Sequence, residues 1–157
     1  MYISNEFSRL EINLNGCLEN YRYFRSRLEA STKLLVLVKA NAYGHGAVQF
    51  ASLMEEAGAD YLAVAYPIEG IELRQAGIKS PVMVLTAGTD SFEQIVNYGL
   101  EPGIPNMYSL RVLCDVLQKR GINDFPIHIK IDTGMHRLGF MSDELPELMD
   151  FVKECRN

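Results

Sequence analysis

The sequence has no tryptophan, only three cysteines among 157 residues, and no run of basic residues. Cys17, Cys114 and Cys155 are widely separated and lack Cys-x-x-Cys spacing, which indicates free thiols in a reducing cytoplasm rather than a disulfide or zinc framework. A net charge of −5 argues against a nucleic-acid partner or an anionic membrane surface. No apolar run is long enough to cross a bilayer, and the first residues do not resemble a secretory signal.

The chain that remains has the composition of one ordinary globular domain. Apolar residues make up 48% and charged residues 22% of the sequence. Apolar strand patterns alternate with helical patterns at intervals of roughly 20 to 30 residues, which favours βα units and a parallel sheet. The predicted strands are 34–38, 61–65, 81–85, 100–104 and 127–132, and the predicted helices are 17–29, 45–57, 68–75, 91–98, 107–119 and 145–154.

Two parts of this pattern are less regular. Residues 10–14 alternate apolar and polar side chains, which predicts a strand with one buried face, and Asn15-Gly16 predicts a turn before the first helix. Residues 100–104 form a weak strand pattern because Pro102 lies inside it and cannot donate a ladder hydrogen bond.

The most informative stretch runs from residue 34 to residue 46. Its first five residues are apolar and lead directly into Lys39, after which a glycine-containing turn follows. Such a run predicts a strand buried on both faces. Lys39 is therefore expected at the carboxyl end of that strand, where ligands bind in barrels and doubly wound sheets. Burial there would favour a neutral, nucleophilic amine suited to Schiff-base chemistry; the alternative is a solvent-exposed lysine that merely ends a strand.

Residues 38–46, Val-Lys-Ala-Asn-Ala-Tyr-Gly-His-Gly, closely resemble the pyridoxal-phosphate attachment segment of the alanine racemase family, whose members are fold-type III enzymes. The resemblance implies that Lys39 forms the Schiff base with pyridoxal 5′-phosphate and acts as the base on one face of the substrate α-carbon. It also implies that Tyr43 contacts the cofactor phosphate, a role for which a neutral hydroxyl donor is suitable.

A second segment, residues 130–139, also resembles this family. Arg137 matches an arginine close to the cofactor's phenolic oxygen and the substrate, where a guanidinium can hold an oxygen by paired hydrogen bonds. Met135 matches a residue near the substrate pocket. Lys130 matches a lysine that is carbamylated in some members and orients the arginine. Leu85 occupies a strand end that lies beside the cofactor ring in the family, although a plain core leucine is an equal alternative.

The resemblance implies a fold as well as a site. The family has a complete (β/α)8 TIM-type barrel followed by a β-rich domain, and this chain corresponds to about five of the eight βα units. Residues 1–157 are therefore expected to be the N-terminal portion of the barrel domain. The missing part would hold the tyrosine that acts from the partner subunit of a homodimer. An incomplete barrel has open sheet edges, so we expect the chain alone to be marginally stable or to associate through its sheet.

The function implied is the interconversion of L- and D-alanine, which points to peptidoglycan supply in the cytoplasm of a bacterium. Two rival hypotheses remain: a non-catalytic barrel that binds pyridoxal phosphate, and an inert folding unit whose chemistry lies elsewhere. Asp132 is interpreted as a cap of the following turn, and Glu69 as a solvated or capping residue. The histidines have no metal-ligand spacing, so no metal site is predicted.

Overall fold

The computed structural model describes residues 10–155 and contains one parallel sheet of five strands in the order β1-β2-β3-β4-β5. Sequential strands are neighbours, so each helix that lies between two strands crosses over between adjacent parallel strands, the arrangement of consecutive βα units of a barrel. The predicted α/β fold is therefore confirmed. The strands are β1 (Leu35–Leu37), β2 (Tyr61–Val64), β3 (Val82–Val84), β4 (Glu101–Ile104) and β5 (His128–Ile129).

Six right-handed α-helices accompany the strands in the described part of the chain, together with two short 3-10 helices, Thr89–Ser91 and Ser142–Glu144. The core forms where helix side chains such as Met54 and Ile95 meet strand side chains such as Leu62 and Val82, all of them essentially inaccessible to solvent. The helices are α1 (Leu14–Ser26), α2 (Ala47–Glu56), α3 (Pro67–Gln75), α4 (Phe92–Asn97), α5 (Met107–Lys119) and α6 (Leu145–Cys155). Within residues 10–155, no helix is both long and apolar enough to span a membrane.

The predicted strand at residues 10–14 is wrong. Leu10 is 73% exposed, and α1 already begins at Leu14 because the Asn13 side chain caps it by accepting a hydrogen bond from the Gly16 amide at 3.1 Å. The turn predicted at Asn15-Gly16 consequently lies inside the helix, which ends at Ser26 rather than at residue 29. At this position the helix cap supplied by Asn13 determines the structure, although the alternation of apolar and polar residues favours a strand.

The weak strand at residues 100–104 is confirmed. Pro102 lies within β4 and is in register with Val84 of β3. The strand predicted at 127–132 is shorter than expected. Only His128–Ile129 forms a ladder with β4, and Ile131 instead makes an isolated parallel bridge to Phe140. The chain therefore leaves the sheet after two paired residues, forms a loop, and returns beside the end of β5.

Candidate active site

A cleft of about 330 Å³ lies at the carboxyl ends of the strands. Three of its lining side chains are cationic: Lys39 from the end of β1, Lys130 from the end of β5, and Arg137 from the loop that follows. No aspartate or glutamate occurs among the described residues that line it. The remaining lining residues are Ala65, Tyr66, Leu85, Thr86 and Leu138. The cleft is thus suited to a small anionic ligand.

The backbone after Lys39 has an unusual conformation. Ala40, Asn41, Ala42 and Tyr43 all have positive φ, between 50° and 55°, so they form one turn of left-handed helix. L-residues with a Cβ atom pay about 1–2 kcal/mol each for this conformation, and it is normally adopted by single residues. Strain of this kind concentrates at functional sites. The half-buried Lys39 therefore lies between the regular strand β1 and the strained turn that begins at Ala40.

Hydrogen bonds close this turn onto the helix that follows it. The Ala42 amide donates to the Val38 carbonyl at 3.0 Å, and the Gly46 amide donates to the Asn41 carbonyl at 3.1 Å. The Asn41 side chain accepts from the Ala47 amide at 2.7 Å and so satisfies the first turn of α2. These hydrogen bonds connect the left-handed turn to Val38 before it and to the start of α2 after it. They therefore fix the point at which β1 ends.

Lys130 reaches the cleft across β4 and β3. Its Nζ donates to the Leu85 carbonyl at 3.4 Å. Gly103 lies beneath it: a Cβ atom there would lie 3.2 Å from the Val84 carbonyl oxygen and 3.4 Å from Lys130 Cδ. The glycine leaves room for the lysine stem. This contact joins Lys130 to the backbone of Leu85, which also lines the cleft.

The loop between β5 and Phe140 carries Arg137. The Phe140 amide donates to the Lys130 carbonyl at 2.8 Å, and the Asp132 amide donates to the Phe140 carbonyl at 2.9 Å. Gly139, with a φ of 131°, packs so closely that a Cβ atom would lie 2.6 Å from the Asp132 nitrogen. Only glycine fits this position, and the close return of the chain holds the loop over the cleft.

Asp132 caps the loop from within. Its Oδ1 accepts from the Gly134 amide at 2.9 Å and from the His136 amide at 3.0 Å, and Oδ2 lies 3.3 Å from His136 Nδ1. The two backbone hydrogen bonds, foremost that from Gly134, hold the pKa of the Asp132 carboxyl below its usual value. The predicted turn cap is therefore confirmed.

The alanine racemase N-terminal domain family matches residues 12–157, nearly the entire chain. The chain belongs to the alanine racemase family. The alanine racemase of Synechocystis sp. is 42% identical over 145 residues, which are 91% of this chain but 38% of the relative. The chain thus spans less than half the length of the curated relatives that it matches.

Solved structures of the family give the same result. Alanine racemase from Clostridium difficile in complex with cycloserine superposes with a TM-score of 0.82 at 34% identity, covering 87% of this chain and 38% of that one. Alanine racemase from Bartonella henselae with covalently bound pyridoxal phosphate superposes with a TM-score of 0.83 at 28% identity, covering 92% and 42%. The five βα units therefore follow the family's barrel fold.

Within this alanine racemase domain, two predicted site residues lie away from the cationic cleft. Tyr43 is 61% exposed and lines a separate, mainly apolar cleft between α1, β1 and α2. Met135 is 76% exposed and is not among the residues that line the cationic cleft. The structure thus brings Lys39, Leu85, Lys130 and Arg137 together but leaves these two side chains apart from them.

Sequence reasoning missed part of the lining of this cleft. Ala65, Tyr66 and Thr86 line the cleft from the ends of β2 and β3, and their positions just after buried strands could have indicated this. It also undervalued Glu69, whose side chain bonds to the backbone of two loops at this end of the sheet. Among the described residues, no group of three or more His, Cys, Asp or Glu side chains could hold a metal ion.

Proposed function

We propose that this chain carries the cofactor-binding lysine of an alanine racemase, and that the whole enzyme interconverts L- and D-alanine. The observation that supports the proposal is the meeting of Lys39, Lys130 and Arg137 in one cleft at the carboxyl ends of the strands. Proteins of the same family include one solved with covalently bound pyridoxal phosphate. The proposal rests on these three cationic side chains rather than on the fold alone.

The residues present fit pyridoxal 5′-phosphate. This cofactor, when bound, supplies an aldehyde that condenses with a primary amine with loss of one water, and a ring that delocalises negative charge from the substrate α-carbon. Lys39 is a primary amine in the cleft, and two further cations there match an anionic molecule. Leu85 supplies an apolar surface in the same cleft.

Each side chain has a proposed role. Lys39 would carry the cofactor and then hold the proton on one face of the substrate α-carbon. Arg137 would bind the oxygen beside the reacting centre and the substrate, because a guanidinium stays charged and can bond bidentately. Lys130, free or carbamylated, would orient Arg137. Tyr43 and Met135 remain proposed contacts of the cofactor phosphate and the substrate pocket.

The opposite face of the α-carbon requires a second base. By the family pattern this is a tyrosine of the partner subunit in a homodimer, and it has no counterpart in this chain. We therefore propose that the chain contributes one half of a two-base mechanism. Substrates are small amino acids, with alanine expected first.

The test begins with the purified chain and added pyridoxal phosphate. We expect a visible absorbance band and, after borohydride reduction, an adduct that peptide mass mapping locates at Lys39. The variant Lys39→Ala should lose both signals. Lys119→Ala is the matched control, because Lys119 is exposed in the last turn of α5, and it should keep both. Adducts spread evenly over the surface lysines would contradict the proposal.

Catalysis is measured separately from binding. Loss of the α-deuterium of labelled alanine reports proton abstraction at one face, whereas a change of optical rotation requires both bases. If the loaded chain binds the cofactor at Lys39 yet leaves the α-deuterium of alanine in place, the non-catalytic binding protein becomes the better assignment. If neither signal appears, the chain is a folding unit without chemistry of its own.

A further inference from the structure

The Glu69 carboxylate lies between two loops at the carboxyl end of the sheet. Its Oε1 accepts from the Ala40 amide at 2.7 Å. Its Oε2 accepts from the Ala65 amide at 2.7 Å and from the Tyr66 amide at 2.9 Å. Ala40 directly follows Lys39, and Ala65 and Tyr66 directly follow β2. One side chain on α3 therefore joins the ends of two neighbouring strands.

The bond to Ala40 meets the strained turn at its first residue. Ala40 begins the left-handed segment, with φ 52° and ψ 50°. The turn's own backbone hydrogen bonds start later, with the Ala42 amide and the Val38 carbonyl. Glu69 supplies the acceptor for the Ala40 amide from a different element, 29 residues away in sequence. A charged acceptor makes a stronger hydrogen bond than a neutral one.

The two loops that Glu69 joins both contribute residues to the lining of the cationic cleft. Lys39 comes from the end of β1, and Ala65 and Tyr66 come from the end of the neighbouring strand β2. The Glu69 side chain itself is not among the lining residues. Its carboxylate accepts hydrogen bonds from three backbone amides of these two loops.

We infer that Glu69 is a positioning residue for Lys39, since it fixes the backbone beyond the lysine to the loop that follows the neighbouring strand. The inference deepens the proposed function and rests on the role that this function gives to Lys39. Glu69 acts through the Ala40 amide, and its Oε2 also accepts from the Tyr66 amide at the N-cap of α3. The experiment must therefore separate positioning from capping.

Glu69→Gln makes this separation. An amide has one oxygen acceptor and one donor group. Two amides, those of Ala65 and Tyr66, face Oε2, whereas only the Ala40 amide faces Oε1. The glutamine oxygen therefore bonds to the pair, and its NH2 group faces the Ala40 amide, a contact between two donors. The variant keeps the helix cap and loses the bond to the lysine turn.

Amide hydrogen exchange, followed residue by residue by NMR, is the first readout. In Glu69→Gln we expect about ten-fold faster exchange at Ala40, with Ala65 and Tyr66 unchanged. Glu69→Ala should accelerate all three. Glu72→Gln is the matched control, because Glu72 is an exposed glutamate on the same helix, and it should accelerate none. Unchanged exchange at Ala40 in Glu69→Gln overturns the inference.

The rate of borohydride-trapped adduct formation at Lys39 is the second readout, measured with added pyridoxal phosphate. We expect it to fall about ten-fold in Glu69→Gln, while the urea midpoint and the trapping at Lys119 stay unchanged; a purely structural role would move the urea midpoint instead. If the unmodified chain forms no adduct at Lys39 but Ala40 exchange depends on Glu69, the proposed function fails and the Glu69 bridge stands. If the adduct forms and Glu69→Gln leaves its rate unchanged, the proposed function stands and the positioning role is overturned.

Discussion

The two ends of the parallel sheet use left-handed backbone differently. At the amino ends of the strands, glycines with positive φ follow the helices: Gly58, Gly77, Gly99 and Gly121. Glycine adopts this conformation without the steric cost of a Cβ atom, and it ends helices for that reason. Asp124, before β5, is the one described residue other than glycine that does so at the amino ends. At the carboxyl ends positive φ occurs at four glycines but also at five residues that pay the cost of a Cβ atom, Ala40–Tyr43 and His136. Backbone strain is thus concentrated where the cleft lies.

The two ends of the sheet also differ in the partners of their charged side chains. At the amino ends, His128 Nε2 lies 2.8 Å from Glu101 Oε2, and burial together with Glu101 raises the pKa of the neighbouring Tyr61. Arg74 donates to carbonyls of two helix–strand loops. At the carboxyl ends, three cations line one cleft that no described acidic side chain enters. At the amino ends of the strands, the charged side chains bond to other groups of the protein. At the carboxyl ends, the three cations are available to a ligand.

This division follows from what each end must do. Parallel βα units place stabilising contacts at the amino ends and binding groups at the carboxyl ends of the strands. Mutations at the amino end should therefore change the free energy of unfolding and leave the cleft's chemistry intact. Mutations at the carboxyl end should change the loops that carry the cleft.

The largest effect is expected for Gly139→Ala in the loop that carries Arg137. A Cβ atom 2.6 Å from the Asp132 nitrogen, at a φ of 131°, should destabilise the folded chain by about 3 kcal/mol. Urea unfolding measures this. Gly134→Ala is the matched control, since Gly134 has a φ of 121° but nothing lies within 4 Å of its Cβ position. It should cost about 1 kcal/mol; equal losses would show that the close contact does not matter.

Arg74→Ala should give the next largest effect, at the opposite end. Its guanidinium donates to the Ile78, Ser80, Tyr98 and Gly99 carbonyls, so its loss should destabilise the chain by about 2 kcal/mol in urea unfolding. Trapping at Lys39 should keep its rate in the folded protein. Arg120→Ala removes an exposed guanidinium with one ion pair at 3.5 Å and should cost at most about 0.5 kcal/mol. A slower Lys39 reaction in Arg74→Ala would contradict the separation of the two ends.

The sequence was most informative where the period of the apolar pattern decides the structure. The helix predicted at 107–119 has the observed bounds, and each of the five predicted parallel strands is present with limits that differ by at most three residues from those expected. The strand end at Lys39 and the later segment around Arg137 were both placed at the cleft. These features depend on local patterns of apolar residues and on the resemblance of the nine residues 38–46 to the alanine racemase family.

The features that were missed depend on contacts between distant residues. Alanine has no intrinsic preference for the left-handed turn that Ala40 and Ala42 adopt. The turn is held by contacts that no local pattern predicts: the Ala40 amide donates to Glu69, and the Ala47 amide donates to the Asn41 side chain. The position of Tyr43 depends on the direction of that turn. Residues 10–14 were misassigned because their alternation fits a strand, whereas the Asn13 cap starts a helix at Leu14.

A smaller effect is expected for relief of strain in the lysine turn. Ala40→Gly removes the Cβ atom at a φ of 52°, whereas Ala76→Gly removes one at a φ of −78° in an exposed helix end. Both variants gain similar conformational freedom in the unfolded chain, so their difference isolates the strain. Ala40→Gly should be about 1–2 kcal/mol more stable than Ala76→Gly in urea unfolding. Equal stabilities would mean that the turn is not strained.

The smallest effect concerns Asp132 and appears only in acid. Because the folded chain holds the pKa of Asp132 below the value of about 3.9 in an unfolded chain, its stabilisation is complete above that value and is lost as the pH falls through the folded pKa. The amide proton shifts of Gly134 and His136 should titrate together below about pH 4. Asp132→Asn keeps an oxygen acceptor for both amides, so their shifts should become independent of pH with little change near neutrality. Asp143→Asn, at an exposed position, should leave the titration as it is. A titration that survives in Asp132→Asn would show that a group other than the Asp132 carboxyl causes the pH dependence of these two amides.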